Sequence, residues 1–116
     1  MVKNKRKTGY EYECMAAEYL KAKGYHILMQ NFYTKLGEID IIAQEEDYIV
    51  FAEVKYRANG ENGHPLEAVN TRKQQKIKKA AQYYLMKQGY CVEKPCRFDV
   101  IGVLGEELIH IENAFE

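Results

Sequence analysis

The chain carries no net charge, because 17 Lys and Arg balance 17 Asp and Glu. The total therefore gives no sign of a polyanionic partner. Cysteine is scarce, and Cys14, Cys91 and Cys96 are odd in number with no CxxC pair. That argues against a zinc ribbon and against a secreted disulfide framework. Cys14 falls in a helical pattern and reads as a small apolar residue. No apolar run approaches the ~20 residues of a membrane span. The opening MVKNKRKTG is basic but leads into no apolar h-region, so no secretory signal and no membrane partner are expected. A cytoplasmic location is the default expectation. No internal repeat or flexible linker interrupts the chain.

The 116 residues, read as 1–116, make a single domain. A chain of this length buries roughly two-thirds of its unfolded surface, so neither disulfide nor structural metal is needed to hold a core. The charges cluster although they cancel. Lys3, Lys5, Arg6 and Lys7 open the chain; Arg72, Lys73, Lys76, Lys78 and Lys79 form a second basic group; Glu106, Glu107, Glu112 and Glu116 lie towards the end. Such clusters are commonly solvated faces, but two basic groups in one small domain leave room for a phosphate-binding surface.

Periodicity outlines the elements. Residues 9–23 read as a helix with Ala16, Ala17 and Leu20 on one stripe and Gly24 as its stop. Residues 25–30 read as a short strand and 31–37 as a connection. Residues 38–43 and 48–55 are β-rich and suggest a hairpin across QEED. Residues 57–65 carry Gly, Asn and Pro and read as a loop. Thr71 and Gln74 make a capping box for a long helix, whose stripe runs through Ile77, Ala80, Ala81, Tyr84 and Leu85 to a stop at Gly89. Residues 97–103 and 108–112 are two further strands. The order αβββαββ predicts an α/β fold, a mixed sheet with helices packed on it.

The segment 38–55 carries the chemical signal. A hairpin turning on Glu46 and Asp47 pairs Ile39 with Val54, Ile41 with Ala52 and Ala43 with Val50 on an apolar face. The other face sets Asp40 against Glu53 and Glu38 against Lys55; a one-residue slip would mix the two faces. Opposed carboxylates repel by roughly 0.2–1 kcal/mol before any desolvation. A cation reverses that balance, either Lys55 or a divalent metal such as Mg²⁺, which favours one or two carboxylates with waters and phosphate oxygens. An ordinary solvent-facing Asp and Glu is the plainer reading. Glu13 shares the stripe of Ala17 and Leu20. It is either a third carboxylate at the same place or an edge residue complementing the helix dipole.

These residues resemble a family. GEIDIIA at 37–43 and FAEVKYR at 51–57 look like the YraN-like bacterial proteins of the PD-(D/E)XK nuclease superfamily, similar to archaeal Holliday-junction resolvases. Gly9, Glu13, Ala16, Tyr19 and Leu20 match the family's first helix, with Tyr12 where a second Gly is usual. Lys73 and Gln74 match its Lys-Gln step, and Arg97 to Val100 its RFDV strand. The resemblance implies a restriction-endonuclease-like αβββαβ core with an extra C-terminal strand. It also implies metal-dependent hydrolysis of DNA, structure-specific or resolvase-like; the alternative is an inactive nucleic-acid-binding module of the same fold.

On that resemblance, Asp40, Glu53 and the backbone carbonyl of Val54 hold Mg²⁺ or Mn²⁺, and Glu13 completes the acidic site. Lys55 positions water or stabilises the transition state, with Glu38 in support; its plainer role is a salt bridge to Glu38. Lys73 and Gln74, at the start of the second helix, either reach a phosphate or pack along the core edge. Arg72, Lys76 and Lys79 form an exposed stripe suited to backbone phosphates, and Arg57 is a further nucleic-acid contact. Asp99 is expected to be a structural carboxylate paired with Arg57 or Arg97. His26, His64 and His110 show no metal-ligand spacing, and His64 reads as a surface residue. DNA is the expected partner, with a homodimer as in the resolvase-like relatives.

Overall fold

The computed structural model describes residues 9–57 and 69–116, except for the side chain of Arg57. The N-terminal basic cluster and most of the expected 57–65 loop, His64 included, lie outside the described residues. Seven elements follow in the expected order. They are α1 (Gly9–Ala22), β1 (His26–Tyr33), β2 (Glu38–Glu45), β3 (Tyr48–Arg57), α2 (Thr71–Lys87), β4 (Cys96–Leu104) and β5 (Glu107–Phe115). The strands form one sheet in the order β1-β2-β3-β4-β5. Among the described strands, only β3 and β4 pair parallel. A parallel pair needs a crossover, and the connection carrying α2 supplies it. The result is an α/β fold with the αβββαβ core and β5 as the additional C-terminal strand.

Each helix covers one face of the sheet because each apolar stripe needs a partner. Ala16, Ala17 and Leu20 of α1 pack with Ile41, Ala43, Val50, Ala52 and Ile101. Ile77, Ala80, Ala81 and Tyr84 of α2 pack on the other side with Ile42, Ile49, Phe51 and Val100. The alternation along β2 and β3 thus divides the core into two layers.

The hairpin register is the expected one over five pairs, from Glu45–Tyr48 to Ile41–Ala52. It then stops. The expected pairs Asp40–Glu53, Ile39–Val54 and Glu38–Lys55 lie beyond the end of that ladder. Ile39 also leaves the Ile41 face and joins the α2 layer. The reason is local: the Val54 N–H donates to Asp40 Oδ2 at 2.9 Å, so a side-chain carboxylate engages a backbone donor at the point where the ladder ends.

Other boundaries shift for physical reasons. β1 continues to Tyr33 instead of ending at Gln30, since pairing with β2 holds it as far as Tyr33–Glu38; Asn31 takes φ 57° within it. The cap of α2 is Asn70 rather than Thr71, its side chain accepting from Lys73 N at 2.9 Å. Gln74 does not complete a box; its Nε2 donates to Val69 O at 3.0 Å.

The turn between β1 and β2 lies directly on α2. A Cβ at Gly37 would stand 2.7 Å from the Lys76 carbonyl oxygen, backbone against backbone. Gly37→Ala is expected to lower the urea midpoint by the equivalent of about 1–3 kcal/mol, the usual cost of overpacking.

Candidate active site

A cleft of about 280 Å³ opens where β2 and β3 part. Glu13, Glu38, Asp40, Glu53, Val54, Lys55 and Lys73 line it. Four elements supply them. Glu13 sits one turn before Ala16 and Ala17 on the buried stripe of α1, as expected. Its Oε1 is buried and has no hydrogen-bond partner. Asp40 and Asn31 interact with its carboxyl group through hydrogen bonds. Asn31 lies across from Asp40, since its neighbours Gln30 and Phe32 pair with Ile41 and Ile39.

Glu53 is the centre of charge. Its side chain is only 5% exposed, and its Oε2 takes Lys55 Nζ at 3.3 Å and Lys73 Nζ at 3.1 Å. One ammonium comes from its own strand and the other from α2. Lys55 therefore pairs with Glu53 and not with Glu38, which lines the same cleft but is exposed.

The carboxylates are strained electrostatically. Burial first, and Glu13 beside it, raise the Asp40 pKa to about 6 against the opposing Val54 hydrogen bond and Lys55. Burial also raises Glu13, opposed by its hydrogen bonds with Asp40 and Asn31. Glu53 is raised by burial and by Asp40, against the pull of both lysines. Burial works to lower Lys73, but Glu53 outweighs it and the net direction is up. Three carboxyl groups in one partly dry cleft make each other costly to ionise, and the two lysines offset only part of that. Perturbation of this kind, in a cleft, makes these residues the candidate functional site.

The other predicted residues divide. Lys73 joins the acidic cleft, whereas the Gln74 side chain turns back to the Val69 carbonyl. Arg72, Lys76 and Lys79 are exposed on α2. Lys76 lines a neighbouring cleft. The side chain of Arg57 lies outside the described residues. Sequence reasoning missed Asn31, whose signal appears only once the β1–β2 register is known.

A second buried ionic cluster lies on the α1 side of the sheet. Asp99 is fully buried and pairs with Arg97, as one of the two expectations held, through bonds of 3.0 Å to each carboxylate oxygen. His110 Nε2 meets Asp99 Oδ2 at 2.7 Å, and Asn113 N donates to Oδ1 at 3.0 Å. Burial acts to raise the Asp99 carboxyl, but these hydrogen bonds and the guanidinium win and hold it below its ordinary range. His110 was not foreseen here, because its place depends on the β4–β5 pairing. This cluster is saturated with partners and lacks the cleft of the first. We read it as structural.

Fold and site together define a two-faced α/β domain with a carboxylate-and-lysine cleft at the parting of its central strands. Residues 12–103 match the uncharacterised protein family UPF0102, and the chain belongs to that family. It is 49% identical to a UPF0102 protein of Lachnoclostridium phytofermentans over 113 residues, covering 97% of this chain and 96% of the relative. It is 50% identical to one from Thermodesulfovibrio yellowstonii over 109 residues, covering 92% and 94%. A UPF0102 protein of Nitrosococcus oceani is 39% identical over 102 residues, covering 88% and 82%.

Two stability effects follow. Asp99→Ala removes the buried acceptor shared by Arg97, His110 and the Asn113 N–H, leaving Arg97 to Glu45 and Tyr25, and is expected to cost about 3–5 kcal/mol in chemical denaturation. Asp40 behaves in the opposite sense. Its folded pKa lies above its unfolded one, so its contribution to stability is complete below about pH 4 and is lost as pH rises through about 6. Asp40→Asn, which keeps an oxygen for the Val54 N–H, is expected to exceed the wild type in stability at pH 8 in chelator. It should show little gain at pH 4, as urea titrations at both pH values will read.

Proposed function

We propose that this protein is a metal-dependent nuclease of the PD-(D/E)XK superfamily that hydrolyses phosphodiester bonds in DNA. The observation that carries the reading is the cleft itself. Glu13, Asp40 and Glu53 reach it from α1, β2 and β3, with Lys55 on the Glu53 carboxylate. The orphaned Glu13 Oε1 is a buried oxygen donor without a partner. Such atoms call for an explanation, and an ion is one of the accepted ones.

Three carboxylates make a hard-oxygen donor set suited to Mg²⁺ or Mn²⁺. Glu13, Asp40, Glu53 and the Val54 carbonyl would hold the ion, which when bound supplies an activated water and charge neutralisation on the phosphate. Among the described residues no group of three His, Cys, Asp or Glu is disposed to hold an ion as it stands. To hold an ion, Glu53 would give up part of its pairing with Lys55 and Lys73. That exchange has a use. It would leave two ammonium groups in the cleft available to an anionic phosphate. Lys55 would then orient the attacking water or meet the charge that grows on the phosphoryl oxygens, while Lys73 would meet a neighbouring phosphate oxygen. Asp40 stays anchored by the Val54 N–H, which fixes one carboxylate while Glu53 changes partners.

No helix of the described residues is long and apolar enough to cross a membrane. We place the activity in the cytoplasm, where DNA is the accessible substrate. A four-way junction presents two symmetric cuts, so a junction substrate would require a homodimer.

One observation favours a second reading, a nucleic-acid-binding module without turnover: both lysines already satisfy Glu53. A cleavage assay separates the two. Single-stranded, duplex and four-way DNA are incubated with Mg²⁺ or Mn²⁺, and cutting is expected to stop in EDTA. Asp40→Ala, Glu53→Ala and Lys55→Ala should each lower the rate about 100-fold or more. Absence of metal-dependent product, with DNA binding indifferent to EDTA and to Glu53→Ala, selects the binding module.

A further inference from the structure

The acidic cleft does not end at Lys73. A second cleft of about 260 Å³ adjoins it, sharing Glu38 and Lys73, and runs on past Lys76 to Tyr33 and Leu36. A third, of about 280 Å³, takes over at Tyr33 and Leu36 and ends against Tyr83. Lys73 and Tyr83 stand ten residues apart on α2, so the path extends roughly 15 Å along that helix.

The walls of this path are of two kinds. Lys35 and Lys76 are exposed cations beside it; Glu38, at the end shared with the acidic cleft, is the carboxylate that lines it among the described residues. Tyr33 is an aromatic ring left 68% exposed, with Leu36 beside it at 49%. Tyr83 stacks on Phe32, with ring centroids 6.3 Å apart.

The wall carrying Tyr33 is held rigidly. Thr34 Oγ1 accepts from Leu36 N at 2.9 Å and Gly37 N at 3.0 Å, and donates to Gly37 O at 2.8 Å. Thr34 N also donates to Gly37 O at 2.9 Å. Gly37 in turn lies against the Lys76 backbone. A tight turn pinned to a helix presents the ring beside it at little entropic cost on binding.

We infer that this path takes an unpaired strand of nucleic acid leading away from the acidic cleft, a base stacking on Tyr33 and its phosphates meeting Lys35 and Lys76. The reasoning is one of access. A ring on a cleft wall reaches the face of a base only when that base has left the duplex stack, and alternating aromatic and cationic groups are the means by which proteins hold single strands. A duplex offers such a wall only its backbone. The inference rests on the proposed nuclease reading for its direction and deepens it: the DNA cut here carries unpaired nucleotides beside the scissile phosphate, as at a flap or an overhang.

The test is binding in EDTA, so that turnover plays no part. Fluorescence anisotropy of the full chain is measured with labelled oligothymidylate and with a duplex of equal length. The single strand is expected to bind more tightly. Tyr33→Ala should weaken it roughly 5- to 150-fold, the range for losing one stacked base, and leave the duplex unchanged. Tyr33→Phe, which loses only the hydroxyl and keeps the ring, should retain wild-type affinity. Lys76→Ala should reduce the slope of log affinity against log salt by about 0.7, one phosphate contact on a single strand. Thermal melts of the variants check that the fold is intact. The inference is overturned if Tyr33→Ala leaves single-strand affinity unchanged, if it weakens both ligands equally, or if neither ligand binds. Cleavage in Mg²⁺ is scored separately, so an inactive protein that still shows the Tyr33 effect loses the nuclease reading and keeps the strand path.

Discussion

The hydrogen bond from the Val54 N–H to the Asp40 carboxylate is the interaction on which the site depends. It sits where the β2–β3 ladder ends, and the cleft opens there. Residues from opposite faces of the sheet are normally separated by the sheet itself. At this parting Glu13, from the helix on one face, and Lys73, from the helix on the other, line the same space. Had the ladder continued through Asp40 and Glu53, the two carboxylates would have been an opposed pair on one face. Glu13 and Lys73 would have remained on separate sides.

The molecule holds two clusters of buried charge, and they are built to opposite rules. Around Asp99 every acceptor is answered: a bidentate guanidinium, an imidazole and a backbone N–H together overcome the cost of burial, and the carboxyl is held low. Around Asp40 the answers fall short. Three carboxyl groups face two lysines, one buried oxygen has no partner, and all three carboxyls are pushed upward. The first cluster holds β4 and β5 together. The second leaves part of its charge unanswered, in a cleft that opens where β2 and β3 part.

α2 carries more than a crossover. Its buried stripe closes one face of the sheet, Lys73 in its first turn reaches Glu53, and its exposed side bears Lys76 and Tyr83. The glycine of the β1–β2 turn lets that turn lie on the helix backbone, so the wall of the adjoining clefts and the acidic cleft share one support. Packing and site geometry are therefore coupled through a single helix.

Much of this was written in local pattern. The seven elements, their order, the hairpin register over five pairs and the inward face of Glu13 follow from periodicities of 2 and 3.6 and from turn residues, which act over a few positions. Asp40, Glu53 and Lys55 were legible as a group because they lie within one hairpin. What was not legible depends on groups far apart in the chain. The early end of the ladder turns on a side chain outcompeting a backbone acceptor, and no alternation of apolar residues records that. Asn31 faces Asp40 only through the β1–β2 register. Lys73 finds Glu53 only once α2 has crossed the sheet, and His110 finds Asp99 only across the β4–β5 pair. The amino-acid order by itself determined which surfaces had to be buried and which carboxylates had to share a strand pair. The tertiary structure alone decided which cations those carboxylates meet, because electrostatic partners are set by distance in space, and that distance exists only after the two apolar layers have closed.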